Sequence, residues 1–120
     1  DRTWEYYTAA LLEKRNDVAA YAKNDHLGFH VYYLWRGSKR KYVPDFLIRL
    51  ANGKLLVLEI KGEDSDQNRN KRMALNSWAR AVNERGGFGT WCWDVVKGEP
   101  SKVDDVIDHH SVSAAHSGPV

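Results

Sequence analysis

The chain has 120 residues, 42% of them hydrophobic and 28% charged, a balance that argues against disorder and suits one domain around one modest core. Its net charge of +2 is too small to diagnose a nucleic-acid partner by itself. Cys92 is the single cysteine, so there is no internal disulfide framework and a reducing, cytoplasmic setting is expected. No apolar run reaches membrane-spanning length, and no charged-apolar-cleavage pattern opens the chain. The first residue, Asp1, leads us to expect a domain cut from a longer protein.

Residues 3–16 are expected to form a helix, with Thr3 as N-cap and Trp4, Tyr7, Leu11 and Leu12 as an apolar stripe. Glu5 lies early in it, where a carboxylate suits the helix dipole. Asn16-Asp17 interrupts the pattern, and Asp17 is positioned to cap a second helical piece over Val18, Tyr21 and Ala22. Phe29 to Arg36 alternates, with Phe29, Val31, Tyr33 and Trp35 on one face, and reads as a strand. Gly37-Ser38 opens a basic turn, and Tyr42 to Leu50 reads as a second strand. Ala51-Asn52-Gly53 is a hairpin signal. Lys54 to Lys61, apolar on both faces, is a central third strand.

From Asp66 to Arg85 the spacing of Met73, Leu75, Trp78, Ala79 and Val82 predicts a helix, which Gly86-Gly87 stops. Gly89 to Val96 is a fourth strand, and the long crossover predicts that it runs parallel to the third. Pro100-Ser101 opens a short last helix over Val103, Val106 and Ile107. The domain is thus expected to span 1–108, with 109–120 as a flexible tail. His109, His110 and His116 lack cysteine partners and read as solvated tail residues. Cys92 has no evident base and reads as packing, and the spacing of Trp4, Trp35 and Trp78 makes them core.

Asp45, Glu59 and Lys61 stand where apolar residues would be cheaper. Charged groups rarely enter buried strands unless they are paired or bind metal. Whether the three can meet depends on the turn. With a two-residue Asn-Gly loop, Asp45 would oppose Ile60 and face away from Glu59. With a three-residue loop and Gly53 left-handed, or with a bulge near Pro44, Asp45 opposes Glu59, and Lys61 shares their face. The expected chemistry requires one of the latter two. Asp45 and Glu59 are then carboxylate ligands for Mg²⁺, with Mn²⁺ as a substitute, and the Ile60 carbonyl is a third donor. Lys61 is placed to orient or help deprotonate a water and to offset charge on the phosphorane. A structural ion pair is the competing reading, although two acids and one base leave a carboxylate unpaired.

Pro44-Asp45 and Glu59-x-Lys61, set in a helix, strands, helix, strand order, resemble the PD-(D/E)xK nuclease superfamily. Trp4-Glu5, Lys23-Asn24, Leu27-Gly28-Phe29, Tyr42-x-Pro-Asp-Phe46, Glu59-x-Lys-Gly62 and Trp78 extend the likeness to the C-terminal endonuclease domain of type III restriction enzyme Res subunits. The resemblance implies an α/β (α+β), restriction-endonuclease-like αβββαβ fold with a central mixed four-stranded sheet flanked by helices. It also implies Glu5 as a further metal ligand, direct or through water.

The activity it implies is Mg²⁺-dependent cleavage of double-stranded DNA by a domain tethered to a helicase-type translocase and working with a methyltransferase subunit. A repair or junction-resolving nuclease of the same superfamily, or a non-catalytic DNA-binding module of the same fold, are the alternatives. Arg36, Lys39, Arg40 and Lys41 before the Pro-Asp element, and Arg69, Lys71 and Arg72 after Lys61, read either as solvated surface or as phosphate-contacting rims. Of these, Lys39, Arg40, Lys41, Arg69, Lys71 and Arg72 are the expected DNA contacts. No Walker-type Gly-x-x-x-x-Gly-Lys-Ser/Thr loop is present, so no ATPase activity is expected.

Overall fold

The computed structural model describes residues 2–62 and 64–112. The elements are helix α1 (Arg2–Glu13), strands β1 (Val18–Lys23), β2 (Val31–Trp35), β3 (Ser38–Tyr42), β4 (Phe46–Leu50) and β5 (Leu55–Lys61), helix α2 (Asp66–Arg85), strand β6 (Trp91–Lys97) and helix α3 (Val103–His110). A 3₁₀ turn, Pro100–Lys102, leads into α3. The fold is α+β. One mixed four-stranded sheet has the order β1-β4-β5-β6, and β2 and β3 form a separate two-stranded sheet.

β5 is central because its side chains are apolar on both faces. Leu56, Leu58 and Ile60 join Phe46, Ile48 and Leu50 of β4 in a core closed by Leu12 of α1 and by Val103 and Ile107 of α3. On the other face Val57 packs with Leu75 of α2 and with Val31, Tyr33 and Tyr42 of the hairpin. β6 runs parallel to β5, as a crossover through a long helix allows. Ser65 caps α2 by accepting from the Asn68 amide, and Gly86, at φ 74°, ends it. Arg15 bonds Asp17, Asp104 and Asp108 together, which ties α3 to the turn after α1. Trp4 packs against the first core, and Trp35 and Trp78 against the second.

Three expectations are corrected. Val18, Tyr21 and Ala22 form a strand, not a helix: β1 pairs antiparallel with β4 from Val18 to Lys23. Sheet pairing outweighs the local helical preference of an alanine-rich run. The strand expected at 29–36 shortens to β2 and does not enter the main sheet. It turns back through Arg36 and Gly37, both at positive φ (50° and 78°), which is the two-residue hairpin geometry. The strand expected at 42–50 is two strands, because Val43-Pro44 breaks it and Pro44 has no N–H for a ladder.

α3 runs to His110, so the folded unit extends beyond the expected boundary at 108. Most of the expected tail, with His116, lies outside the described residues. His110 is not solvated: its Nε2 lies 2.8 Å from Asp94 Oδ2, and its backbone carbonyl accepts from Asn52 Nδ2 at 2.9 Å. Among the described residues no helix is long and apolar enough to cross a membrane.

Candidate active site

The turn between β4 and β5 has the geometry that the site requires. Phe46 pairs with Leu58 and Ile48 with Leu56, so partner numbers add to 104. Leu50 and Lys54 close a three-residue loop in which Gly53 takes φ 91°. Carried one residue beyond Phe46, this register sets Asp45 opposite Glu59, on the face of the sheet that carries Leu47, Val57 and Lys61. The next pair outward would be Pro44 and Ile60. The Pro44 carbonyl accepts from Asn24 Nδ2 at 3.0 Å, and the Ile60 amide instead donates to Asp45 Oδ2 at 2.8 Å.

Both carboxylates are pushed towards the protonated form. Burial raises Asp45 first, and the charge of Glu5 adds to it, while the Ile60 amide and Lys61 act the other way. Burial and then the charge of Asp45 push Glu59 up to about 7, against Lys61, the Tyr42 hydroxyl and Lys71. Lys61 is 9% exposed. Burial, with the neighbouring Lys71 and Arg72, drives its ammonium down, and Glu59 and Asp64 oppose this. Two acids and a base thus act on one another from the same face of the sheet, each destabilised in its charged form by desolvation.

Tyr42, at the end of β3, is buried and donates from its hydroxyl to Glu59 Oε1 at 3.1 Å. Burial and the two carboxylates hold its phenol well above the usual range. Lys71 Nζ stands 5.5 Å from the Tyr42 ring centroid and 5.9 Å from that of Tyr33. The bond from Tyr42 to Glu59 is not legible in the sequence, since spacing along β3 carries no information about β5.

A cavity of about 210 Å³ opens beside Asp45 and is lined also by Glu5, Lys23, Asn24 and Pro44. Glu5 is thus brought to the site, with its Oε2 3.5 Å from Lys23 Nζ. Asn24 is 3% exposed. Its amide group donates to the carbonyls of Phe29 (2.8 Å) and Pro44 (3.0 Å), and its backbone N–H donates to the Asp45 carbonyl at 2.8 Å. It therefore fastens both ends of the hairpin insertion next to Asp45. Among the described residues its Oδ1 is buried without a hydrogen-bond partner.

No three His, Cys, Asp or Glu side chains among the described residues form a group that would hold a metal by themselves. Mg²⁺ is commonly bound through one or two carboxylates with several retained waters. The residues fit that demand: Asp45 and Glu59 supply oxygen, and their mutual repulsion is relieved by a cation.

The expected DNA contacts divide. Lys39, Arg40 and Lys41 are exposed on β3. Lys71 is drawn in against Tyr42 and acts electrostatically on Glu59. Arg72 makes a two-pronged pair with Asp64 (2.7 and 3.0 Å), and Arg69 pairs with Asp66, so neither guanidinium is without a counter-charge.

No protein-family model, no curated protein and no solved structure matches the chain.

Proposed function

We infer that the chain is a divalent-metal-dependent nuclease domain that hydrolyses DNA phosphodiesters, of the restriction-endonuclease-like PD-(D/E)xK kind. One observation carries the reading. Asp45 and Glu59, directed to one face of adjacent strands, are held in a buried arrangement that raises both carboxyls, beside a buried Lys61. A structural ion pair has no need of the second acid. The order β1-β4-β5-β6, with the acids where β4 begins and β5 ends, is consistent with that fold.

Bound Mg²⁺ would neutralise charge on the phosphate and acidify a water. Asp45 and Glu59 provide oxygen ligands, and the Ile60 amide keeps Asp45 oriented. Tyr42 holds Oε1 of Glu59, leaving Oε2 for other partners. Lys61 Nζ orients the attacking water and offsets charge as it develops on the phosphoryl oxygens. Water oxygen bonds to phosphorus, one bridging P–O bond breaks, and the departing oxygen takes up a proton. Glu5 adjoins Asp45 and is suited to an outer role through water. The setting proposed is the cytoplasmic cleavage module of a type III restriction enzyme, with a translocase domain and a methyltransferase subunit as partners.

Supercoiled plasmid with Mg²⁺ tests the activity. Wild type should nick it. Glu59→Ala and Lys61→Ala should each lose on the order of 10²-fold or more, as removal of a group stabilising the transition state does. Equal weak nicking by all three proteins contradicts the reading.

A further inference from the structure

A second cavity, of about 450 Å³, lies outside the carboxylate site, between the hairpin and α2, and its lining includes Tyr32, Leu34, Lys39, Asn70, Met73 and Ser77. β2 alternates, with Val31 and Tyr33 buried, so Tyr32 and Leu34 point outward at 50% and 66% exposure. Met73, which helical spacing assigned to the core, is 68% exposed beside them. The side-chain amide of Asn70 donates to the Leu34 carbonyl at 2.9 Å and joins α2 to the edge of β2.

The charge around this apolar floor has one sign. Lys39 Nζ stands 4.3 Å from the Tyr32 ring centroid, Lys41 is the cross-strand partner of Tyr32, and no lining residue is acidic. Lys39 lies three residues along β3 from Tyr42, roughly 10 Å at strand rise, and Tyr42 touches Glu59. A half-exposed aromatic ring paired with the Lys39 ammonium over its face suits a planar base carrying a phosphate, the lysine turning from ring to phosphate on binding. A purely apolar peptide would leave the lysines unmatched.

We propose that this groove binds an unpaired nucleotide, with its base against Tyr32, Leu34 and Met73 and its phosphate at Lys39 and Lys41. The inference rests on the nuclease reading for the polymer involved, but binding itself needs neither metal nor cleavage. The strand engaged by the carboxylate site would thus be read partly in single-stranded form.

Fluorescence anisotropy in EDTA separates base from backbone, using labelled oligothymidylate and an abasic oligodeoxyribose phosphate of equal length. Wild type should bind the thymidylate roughly tenfold more tightly, the scale of one stacked base. Tyr32→Ala should remove most of that preference, and Tyr32→Phe should keep it. Lys39→Ala should weaken both ligands alike and flatten the salt dependence by roughly 0.7 in logarithmic slope. Should Tyr32→Ala fail to fold, Met73→Gln, at an exposed helix position, carries the same expectation of a reduced preference. Equal wild-type affinity for the two ligands, no binding of either, or a base preference that survives Tyr32→Ala overturns the proposal. Loss of plasmid nicking with the base preference intact would fall on the nuclease reading alone.

Discussion

The Ile60 amide donates to Oδ2 of Asp45 at 2.8 Å, where a ladder bond would otherwise seek a partner across β4. The Pro44 carbonyl, the cross-strand acceptor in this register, is taken by Asn24 Nδ2, and Asp45 is left opposite Glu59. The electrostatic consequences follow from that pairing.

Glu59 makes the metal-free protein less stable as pH rises. Its carboxyl sits at about 7 in the fold against an ordinary value of 4.5, so between those values the folded state keeps a proton that the unfolded chain has lost. Stability therefore falls through that window, and above it the penalty is complete, on the order of 3 kcal/mol at ~1.4 kcal/mol per pKa unit. Melting in EDTA should show the fall, and Glu59→Gln should flatten it. Because a cation binds the ionised form, saturating Mg²⁺ should shrink the slope. A profile identical in wild type and Glu59→Gln contradicts the assignment.

Asp45→Asn should be neutral or stabilising without metal. An asparagine carbonyl still accepts from Ile60, while the repulsion with Glu59 disappears. The variant should also lose the rise in melting temperature that Mg²⁺ gives wild type. A drop of about 1–3 kcal/mol, with no metal effect on wild type, would indicate a structural ion pair.

Tyr42→Phe keeps the ring beneath Lys71 and deletes only the hydroxyl bond to Glu59. Glu59 then loses a donor to its charged form, so its pKa should rise further and half-maximal nicking should need several-fold more Mg²⁺. The variant should melt within about 1–2 kcal/mol of wild type. An unchanged Mg²⁺ requirement would separate Tyr42 from the site.

His110 and Asp94 form a second pH-dependent contact, on the opposite face of the sheet from the carboxylates. Burial works against the imidazolium, but Asp94 and Cys92 outweigh it and push His110 up to about 9 from 6.5. Its contribution is fully present below 6.5 and is lost as pH rises through about 9, on the order of 1–3 kcal/mol. Asp94→Asn should abolish this alkaline loss of melting temperature without changing nicking. If the loss persists in the variant, the pair does not hold α3 to β6.

Much of this was legible in the sequence, for physical reasons. Leu55 to Leu58 is apolar in both directions, and only a central strand allows that. The 20-residue helix α2 forces a parallel return, and Gly53 admits the left-handed three-residue loop that aligns Asp45 with Glu59. What sequence did not disclose depended on tertiary partners. Val18 to Lys23 became a strand because β4 offered an edge, and the hairpin left the main sheet because Pro44 cut its continuity. The partners of Arg69 and Arg72, Asp66 and Asp64, are likewise set by the fold of the loop and first turn of α2. His110 looked solvated because nothing near it in the chain reveals Asp94.

The most direct test of the central claim is Mn²⁺-induced broadening of backbone amide signals by NMR. At substoichiometric Mn²⁺ the amides of Asp45, Ile60 and Lys61 should broaden first, and the Asp45→Asn, Glu59→Gln double variant should abolish the effect. Broadening centred elsewhere, or unchanged in the double variant, would contradict the account.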